Sequence, residues 1–253
     1  MTRWSAVHDA LILAAGRGTR MRHLTEEVPK PMLPVAGRPL LEHILDALRD
    51  AGIDRCVIVT GYRAERIEDH FGNGARFGME LAYRRQERRD GTARALLLGR
   101  DAVGDRPFLL AWGDILSDRR NYPALLARFS ELRPDGLLAV NWVEDPHRGA
   151  AVYVDARNRI ERIVEKPPRG TANTHWNNAG IGVFTADVFE YAGTVRPSPR
   201  GEYELPDVIS AMIADGRTIY ALPLEGFWSD VGTPADLARA ERLLRELNQA
   251  RSS

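Results

Sequence analysis

Lysine is almost missing from this chain. Of 35 basic residues only two are lysines, Lys30 and Lys166, leaving 33 arginines. Cysteine occurs once, as Cys56 in the apolar run Cys56-Val57-Ile58-Val59, which excludes a disulfide framework and reads as a buried core thiol. The six histidines show no metal-ligand spacing with it. No apolar stretch nears the ~18 residues a membrane-spanning helix needs. Formal net charge is zero, which argues against a nucleic-acid binder working through a general basic field. The opening Met1-Thr2-Arg3-Trp4 lacks the apolar segment of a signal peptide, so a cytoplasmic protein is expected.

What is present describes an ordinary globular chain: 253 residues, 44% hydrophobic and 28% charged. A chain of this length buries roughly 70–75% of its unfolded surface and needs no covalent or metal staple. We expect a single domain spanning 1–253, its halves 8–135 and 136–240 differing in character. In the first half, apolar runs alternate with amphipathic stretches. Leu11-Ile12-Leu13, Val57-Ile58-Val59, Met79 to Tyr83 and Phe108 to Trp112 read as strands. Pro39 to Ala51, Ala64 to Phe71 and Thr92 to about Arg100 read as helices, with Thr92 as an N-cap. The α/β alternation predicts a largely parallel sheet with ligands at the carboxyl ends of its strands. In the second half, Leu137 to Val143, Ala150 to Val154 and Arg159 to Val164 read as strands joined by turns, a mixed or antiparallel section. Helices return at Glu204–Ala214 and Pro234–Asn248, before a tail, Gln249–Ser253, expected to fray.

Both lysines precede proline. With 15 prolines in the chain, chance gives that roughly once in 300 at ordinary proline usage. Arginine offers a planar fork and lysine a compact, mobile ammonium, so these two positions are read as needing a point charge.

Lys30 lies in a segment with its own signal. After the first strand comes Ala14-Ala15-Gly16-Arg17-Gly18-Thr19-Arg20-Met21. Glycines let the backbone approach a ligand and aim N–H groups at phosphate. A dinucleotide fingerprint needs a third glycine opening a helix, and a Walker loop needs Gly-Lys-Ser/Thr; neither is here. Pro29, Pro31, Pro34 and Pro39 forbid a long helix, so about 20 residues are expected to run with little regular structure. A loop that long in a compact domain is usually functional. Arg17, Arg20, Arg22 and Lys30 beside glycines suit a polyphosphate.

The run from Ala14 to Met21, with Thr25, Pro29-Lys30-Pro31-Met32-Leu33-Pro34-Val35 and Gly37-Arg38-Pro39-Leu40, resembles the signature of the sugar-1-phosphate nucleotidylyltransferases. The resemblance spans roughly residues 8 to 240. It departs at Ala15, where many members have glycine, and at the spacer Arg22-His23. It implies an α/β fold of Rossmann-like, glycosyltransferase-A type, with a central mixed, mostly parallel sheet flanked by helices, and NTP and a sugar 1-phosphate as substrates. It leaves a homo-oligomer possible, and the chain is expected to lack an appended acyltransferase β-helix.

The resemblance also implies roles. Ala14, Ala15, Gly16, Gly18 and Thr19 would wrap the triphosphate, Arg20 would touch the leaving phosphates, and Lys30 would steady the phosphate under attack. Asp114 after the strand ending at Trp112 and Asp230 in Trp228-Ser229-Asp230-Val231-Gly232 resemble the family's two Mg²⁺-binding aspartates. Asp118 reads as an exposed turn or cap residue. Gln86, Gly91 and Thr92 resemble the base-binding stretch, which favours UTP or dTTP over GTP, CTP or ATP. Gly149, Glu165, Lys166 and Asn178 resemble the sugar-phosphate pocket; His175 and Trp176 either shape it or pack the core. A glycosyltransferase of similar fold would usually show Asp-x-Asp where this chain has Asp114-Ile115-Leu116. A non-catalytic sensor of nucleotide sugars would be expected to lose Lys30, Asp114 or Asp230.

Overall fold

The first apolar run becomes the middle of the sheet. β1 (Asp9–Leu13) is buried along its whole length because both of its faces are covered. The computed structural model describes residues 3–252, with side chains up to Leu247. After β1 come the short pair β2 (Pro34–Val35) and β3 (Arg38–Pro39), then α1 (Leu40–Asp50), β4 (Arg55–Thr60) and α2 (Ala64–Phe71). β5 (Glu80–Arg85), α3 (Thr92–Leu98), α4 (Arg100–Val103) and β6 (Phe108–Trp112) complete the alternating part. β7 (Ile115–Ser117), α5 (Asn121–Leu132), β8 (Gly136–Trp142), β9 (Ala150–Val154), β10 (Ile160–Glu165) and β11 (Trp176–Phe184) follow. The chain continues through α6 (Val188–Thr194), α7 (Leu205–Ala214), β12 (Ile219–Pro223), β13 (Trp228–Asp230) and α8 (Pro234–Ser252).

β1 lies parallel between β4 and β6, and β5 extends the sheet beyond β4. β11 runs antiparallel to β6 and β8, and β12 is parallel to β8. β9 pairs antiparallel with β11 and β10. Seven of the nine strands of this sheet therefore point one way, with β10 and β11 reversed. Alternate residues of β1 serve opposite layers, as the two-residue period of a strand requires. Ala10 and Ile12 join Leu41, Ile44, Leu45 and Leu48 of α1 and Leu125 and Phe129 of α5. Leu11 and Leu13 join Leu96 of α3, Phe189 of α6 and Val208 and Ile209 of α7. Each of these Leu, Ile, Val or Phe side chains contributes about 2 kcal/mol through burial. Cys56 is buried in the first layer, and burial pushes its thiol far above the ordinary range.

Several local expectations need correction. The proline-rich stretch after β1 holds no α-helix, as expected, but it is built from short pieces: 3₁₀ turns within Thr19–Thr25, broken by a kink at Arg22 with φ 56°, and at Lys30–Met32, and the β2–β3 pair. Proline fits the first positions of a short turn and the edge of a two-residue ladder, while still forbidding an α-helix. Thr92 is not a cap but the first helical residue. Gly91 precedes it at φ 118°, and the Thr92 hydroxyl accepts the N–H of Leu205 at 2.8 Å. α8 runs to Ser252; the tail expected to fray falls where side chains lie outside the described residues, as does Ser253 altogether.

At the amino ends of the central strands, Asp9 is 5% exposed. It accepts two hydrogen bonds from Arg55, both 2.9 Å, and two from Arg106, at 2.8 and 3.1 Å. Burial pushes its carboxyl up, but these donors outweigh burial and hold it below the ordinary value of 3.8. The stabilisation is therefore present above the unfolded value and is lost as pH falls through the folded one. Asp9→Asn is expected to cost about 2 kcal/mol at pH 7, discounted because both arginines are about a third exposed, and progressively less as the pH drops below 4. Urea titrations of both proteins across pH 3–7 measure this; a pH-independent difference would mean the charge is not the cause.

Candidate active site

Parallel strands leave their carboxyl ends on one edge, and the segments singled out from the sequence gather there. β1 ends at Leu13 and runs into Ala14, Ala15 and Gly16; β6 ends at Trp112 and runs into Gly113 and Asp114. The two tails nearly touch: a Cβ on Gly113 would lie 2.9 Å from that of Ala14. Asp230 arrives from the far end of the sequence because β13 pairs antiparallel with β7, setting Asp230 opposite Ile115. The Val231 N–H donates to the Asp114 carbonyl at 3.0 Å, which fixes the two aspartates side by side.

Lys30 stands between them. Its ammonium donates to Asp114 Oδ2 at 2.5 Å and to Asp230 Oδ1 at 3.5 Å, and its side chain is 8% exposed. Lysine is rarely this buried unless paired, and here the pairing is double. Lys30 reaches the position by crossing the glycine loop. A Cβ on Gly18 would lie 3.0 Å from the Lys30 Cβ, and Gly18 holds φ 66°, so that position favours glycine twice over. Thr25 closes the loop by donating to the Gly18 carbonyl at 3.0 Å. Arg20 lies against Gly232 with its guanidinium 3.9 Å from Asp230 Oδ2 and remains 57% exposed. Burial and the neighbouring charge of Asp114 raise the carboxyl of Asp230, and Lys30 and Arg20 pull it back.

The glycine loop is braced from outside by Tyr62. Its N–H reaches the Ala15 carbonyl at 3.4 Å, and Arg17 lies over its ring at 5.4 Å. Its hydroxyl donates to the Glu26 carbonyl at 2.6 Å, where Arg63 also donates through Nε and a terminal nitrogen. One tyrosine thus spans the loop, and the sequence carried no signal for it.

A second group assembles where β11 changes partners. Ile181 of β11 pairs with Ala111 of β6, whereas Asn177 pairs with Ala151 of β9. β9 takes up the edge of β11 where β6 stops, leaving a gap at a bulge in which four residues of β11, from Asn178 to Gly182, advance against only two of β8, from Val140 to Leu138. Asn178 lies in that gap, its Oδ1 accepting the Gly180 N–H at 3.1 Å. Gly149 borders it; a Cβ there would collide with the Asn177 amide, which is held by Asn141 at 2.9 Å. Lys166 follows β10, donates its N–H to the Gly149 carbonyl at 2.7 Å, and takes φ 42°, an unusual backbone for a non-glycine residue. Its ammonium is 3.5 Å from Glu165 Oε1 and half exposed. Arg200 also reaches Glu165, at 3.3 Å, and pairs with the buried Glu204 at 2.5 Å. Burial pushes Glu165 above the ordinary carboxylate range, and Glu204 adds to this against Lys166 and Arg200. Sequence reasoning missed Arg200; one arginine among 33 carries no mark of its own.

The two groups meet through the backbone. Trp228 Nε1 donates to the Ala179 carbonyl at 2.9 Å, tying the Asp230 ribbon to the Asn178 segment. Among the described residues no ion pair joins Lys166 to Asp114 or Asp230. Gln86, Gly91 and Thr92 lie at the end of β5 and the start of α3, on the same edge of the sheet. Asp118 is more sheltered than expected: its side chain is 14% exposed, and it accepts the Arg120 N–H at 3.1 Å at the entry to α5. His175 hydrogen-bonds the Val143 and Glu144 carbonyls and stacks on the exposed Trp142.

The carboxyl edge of a mostly parallel sheet, carrying a glycine loop and two aspartates that share a buried lysine, is the setting of a nucleotide-processing transferase. The chain belongs to the nucleotidyl transferase family, whose model it matches over residues 9–246. It is 38% identical over 241 residues to the UTP–glucose-1-phosphate uridylyltransferase AglF of Haloferax volcanii, covering 94% of this chain and 97% of that one. It is 36% identical to the bifunctional protein GlmU of Methanocaldococcus jannaschii, spanning 93% of this chain but 54% of that protein. A Bacillus anthracis structure described as a glucose-1-phosphate thymidylyltransferase in complex with sucrose superposes with a TM-score of 0.85 at 30% identity, covering 94% and 95% of the two chains. No helix among the described residues is long and apolar enough to cross a membrane.

Gly18→Ala tests how tightly loop and lysine are fitted. The left-handed backbone costs about 1–2 kcal/mol with a side chain, and the new methyl presses on Lys30. Thermal unfolding should fall by about 2–6 °C for a chain of this size. An unchanged melting temperature would show that the loop relaxes freely.

Proposed function

We propose that this chain transfers a nucleoside monophosphate from an NTP, with UTP or dTTP favoured, to a sugar 1-phosphate, giving a nucleoside diphosphate sugar and pyrophosphate. The observation that carries the reading is the convergence of Arg20, Lys30, Asp114 and Asp230, four residues spread over 211 positions, into one cluster of ion pairs.

Residues 8–135 hold the nucleotide in this reading and residues 136–240 the sugar phosphate. The backbone of Ala14, Ala15, Gly16, Gly18 and Thr19 receives the triphosphate, and Gln86, Gly91 and Thr92 receive the base. Gly149, Glu165 and Asn178 line the sugar, with the carboxylate of Glu165 accepting from its hydroxyls. Lys166 and Arg200 hold the sugar phosphate. An oxygen of that phosphate, already anionic, attacks the α-phosphorus in line, and the bond from the α-phosphorus to the bridging oxygen of the β-phosphate breaks. Both electrons of that bond leave with pyrophosphate, so no side chain has to act as nucleophile. Catalysis rests on positioning and charge neutralisation: Lys30 steadies the α-phosphate and Arg20 the departing pyrophosphate.

The donor set suits Mg²⁺. Two carboxylates stand side by side, here sharing the Lys30 ammonium that this reading turns toward the α-phosphate, and among the described residues no cluster of three or more His, Cys, Asp or Glu could hold a metal unaided. Mg²⁺ typically takes one or two carboxylates and completes its shell with phosphate oxygens and water. Held by Asp114 and Asp230, it would supply charge neutralisation for the triphosphate. A reaction that consumes NTP belongs in the cytoplasm.

A matrix of NTPs against sugar 1-phosphates, read by pyrophosphate release, tests the reaction. Lys30→Ala and Asp114→Asn should each lower kcat at least about 100-fold, the scale of losing one oriented electrostatic group. Normal turnover in either variant rejects the assigned roles, and tight binding of a nucleoside diphosphate sugar without pyrophosphate release would point to a sensor instead.

A further inference from the structure

The turn after β5 is held more firmly than a surface turn requires. Gln86 leaves the sheet with its N–H on the Thr60 carbonyl at 2.8 Å. Its side-chain amide nitrogen donates to Asp90 Oδ1 at 3.3 Å and to the Gly91 carbonyl at 3.1 Å. An amide NH₂ has two hydrogens, so both donors are used inside the turn. The reverse orientation would set Oε1 against a carboxylate oxygen and a carbonyl oxygen, three acceptors together, and repulsion excludes it. The turn is itself pinned. The Asp90 carbonyl accepts the Tyr203 N–H at 2.7 Å, and the Tyr203 carbonyl accepts the Ala93 N–H at 2.9 Å. Gly91, at φ 118°, leaves open the space that the Tyr203 backbone fills.

We propose that Asp90 is a specificity-determining residue for the nucleotide base, acting as a positioning residue that leaves Gln86 only its acceptor, Oε1, to face the ligand. The proposal rests on the reading of Gln86 as a base contact. A base edge that meets a lone acceptor must offer a donor at that point. Uracil and thymine do so at N3–H and guanine at N1–H, whereas cytosine N3 and adenine N1 are acceptors. Acceptor facing acceptor leaves both unpaired, which a site built around a hydrogen bond rejects strongly. The exocyclic amino groups of cytosine and adenine also donate, but they lie one atom further along the edge. Reaching them would carry the α-phosphate out of line with the groups that steady it. Without Asp90 only the Gly91 carbonyl still holds the amide nitrogen, so turning the amide over to present NH₂ to those bases costs one hydrogen bond in place of two.

The test is kcat/KM for UTP, dTTP, GTP, CTP and ATP with one sugar 1-phosphate, in the wild type and in Asp90→Ala, Asp90→Ser and Asp90→Asn. Alanine removes the lock and should lower the preference for UTP over CTP by at least about 10-fold, with kcat at saturating UTP within about threefold of wild type. Serine, whose hydroxyl is too short to reach the amide, should do the same and covers a failure of the alanine variant to fold. Asparagine keeps an acceptor and should keep the preference. An unchanged UTP-to-CTP ratio in the alanine and serine variants overturns the role of Asp90 while leaving the proposed reaction standing. A wild type that prefers CTP or ATP overturns the base reading of Gln86 and the lock with it. No pyrophosphate release from any NTP would reject the reaction itself.

Discussion

The ammonium of Lys30, shared between Asp114 and Asp230, is the contact on which the rest of the site depends. Two carboxylates set side by side repel, and burial adds to the cost of keeping both charged, as the raised carboxyl of Asp230 reports. A buried cation between them settles both problems, and each aspartate in turn makes the buried lysine tolerable. The arrangement needs three chain segments delivered to within hydrogen-bonding distance. β6 delivers Asp114, the β7–β13 ribbon delivers Asp230, and the turn at Lys30–Met32 delivers the lysine. Removing any of the three leaves an unbalanced charge in a sheltered place.

Close approach of backbones makes that delivery possible, and particular glycines mark where it happens. Gly18 lets Lys30 cross beneath the loop, Gly113 lets the tail of β6 lie on Ala14, and a Cβ on Gly61 would lie 2.7 Å from the Ala15 carbonyl. Tyr62, next to Gly61, then ties Ala15, Arg17 and Glu26 into one unit. The loop that the sequence marks as long and functional is thus held by 3₁₀ turns within and a tyrosine without. Preorganisation of this kind is what a site working by position and charge requires, because no covalent step compensates for a misplaced phosphate.

Much of this was legible beforehand, and the pattern of success has a physical cause. β1, β4, α2 and β6 announce themselves because a strand buried on both faces needs an unbroken apolar run and a packed helix needs an apolar stripe. Lys30 and Lys166 were picked out as a rare residue type and Asp114 and Asp230 through the family resemblance, since an aspartate beside a glycine is by itself an ordinary turn; their catalytic and metal roles remain the proposal made above. α5 was not anticipated, with Pro123 inside its first turn, nor was β11, whose Asn177-Asn178 and two glycines break a strand-like pattern. Those same residues make the bend at which β11 exchanges β6 for β9, so the feature that hid the strand is the one that opens the gap. Arg200 and Tyr62 were invisible for the opposite reason. Their contacts reach carbonyls and carboxylates far away in sequence, and nothing local distinguishes them from other surface arginines and tyrosines.

The division of labour between arginine and lysine now has a geometric account. Where this protein engages both oxygens of one carboxylate it uses the arginine fork: Arg85 meets both oxygens of Glu68, and Arg55 and Arg106 each meet both oxygens of Asp9. Asp114 and Asp230 are different acceptors, one from a sheet strand's tail and one from a separate ribbon. Arginine also bridges two carboxylates here, as Arg38 does between Glu42 and Asp46 and Arg200 between Glu165 and Glu204, but those side chains are more than a third exposed, whereas Lys30 is 8% exposed. The ammonium of Lys30 has three hydrogens spread in space and no preferred plane, so it can serve both carboxylates from one position. Lys166, half exposed, pairs with Glu165, and Arg200 reaches the same carboxylate oxygen. In a chain that elsewhere chooses arginine 33 times, the one buried lysine stands where two carboxylates from separate segments share a single ammonium.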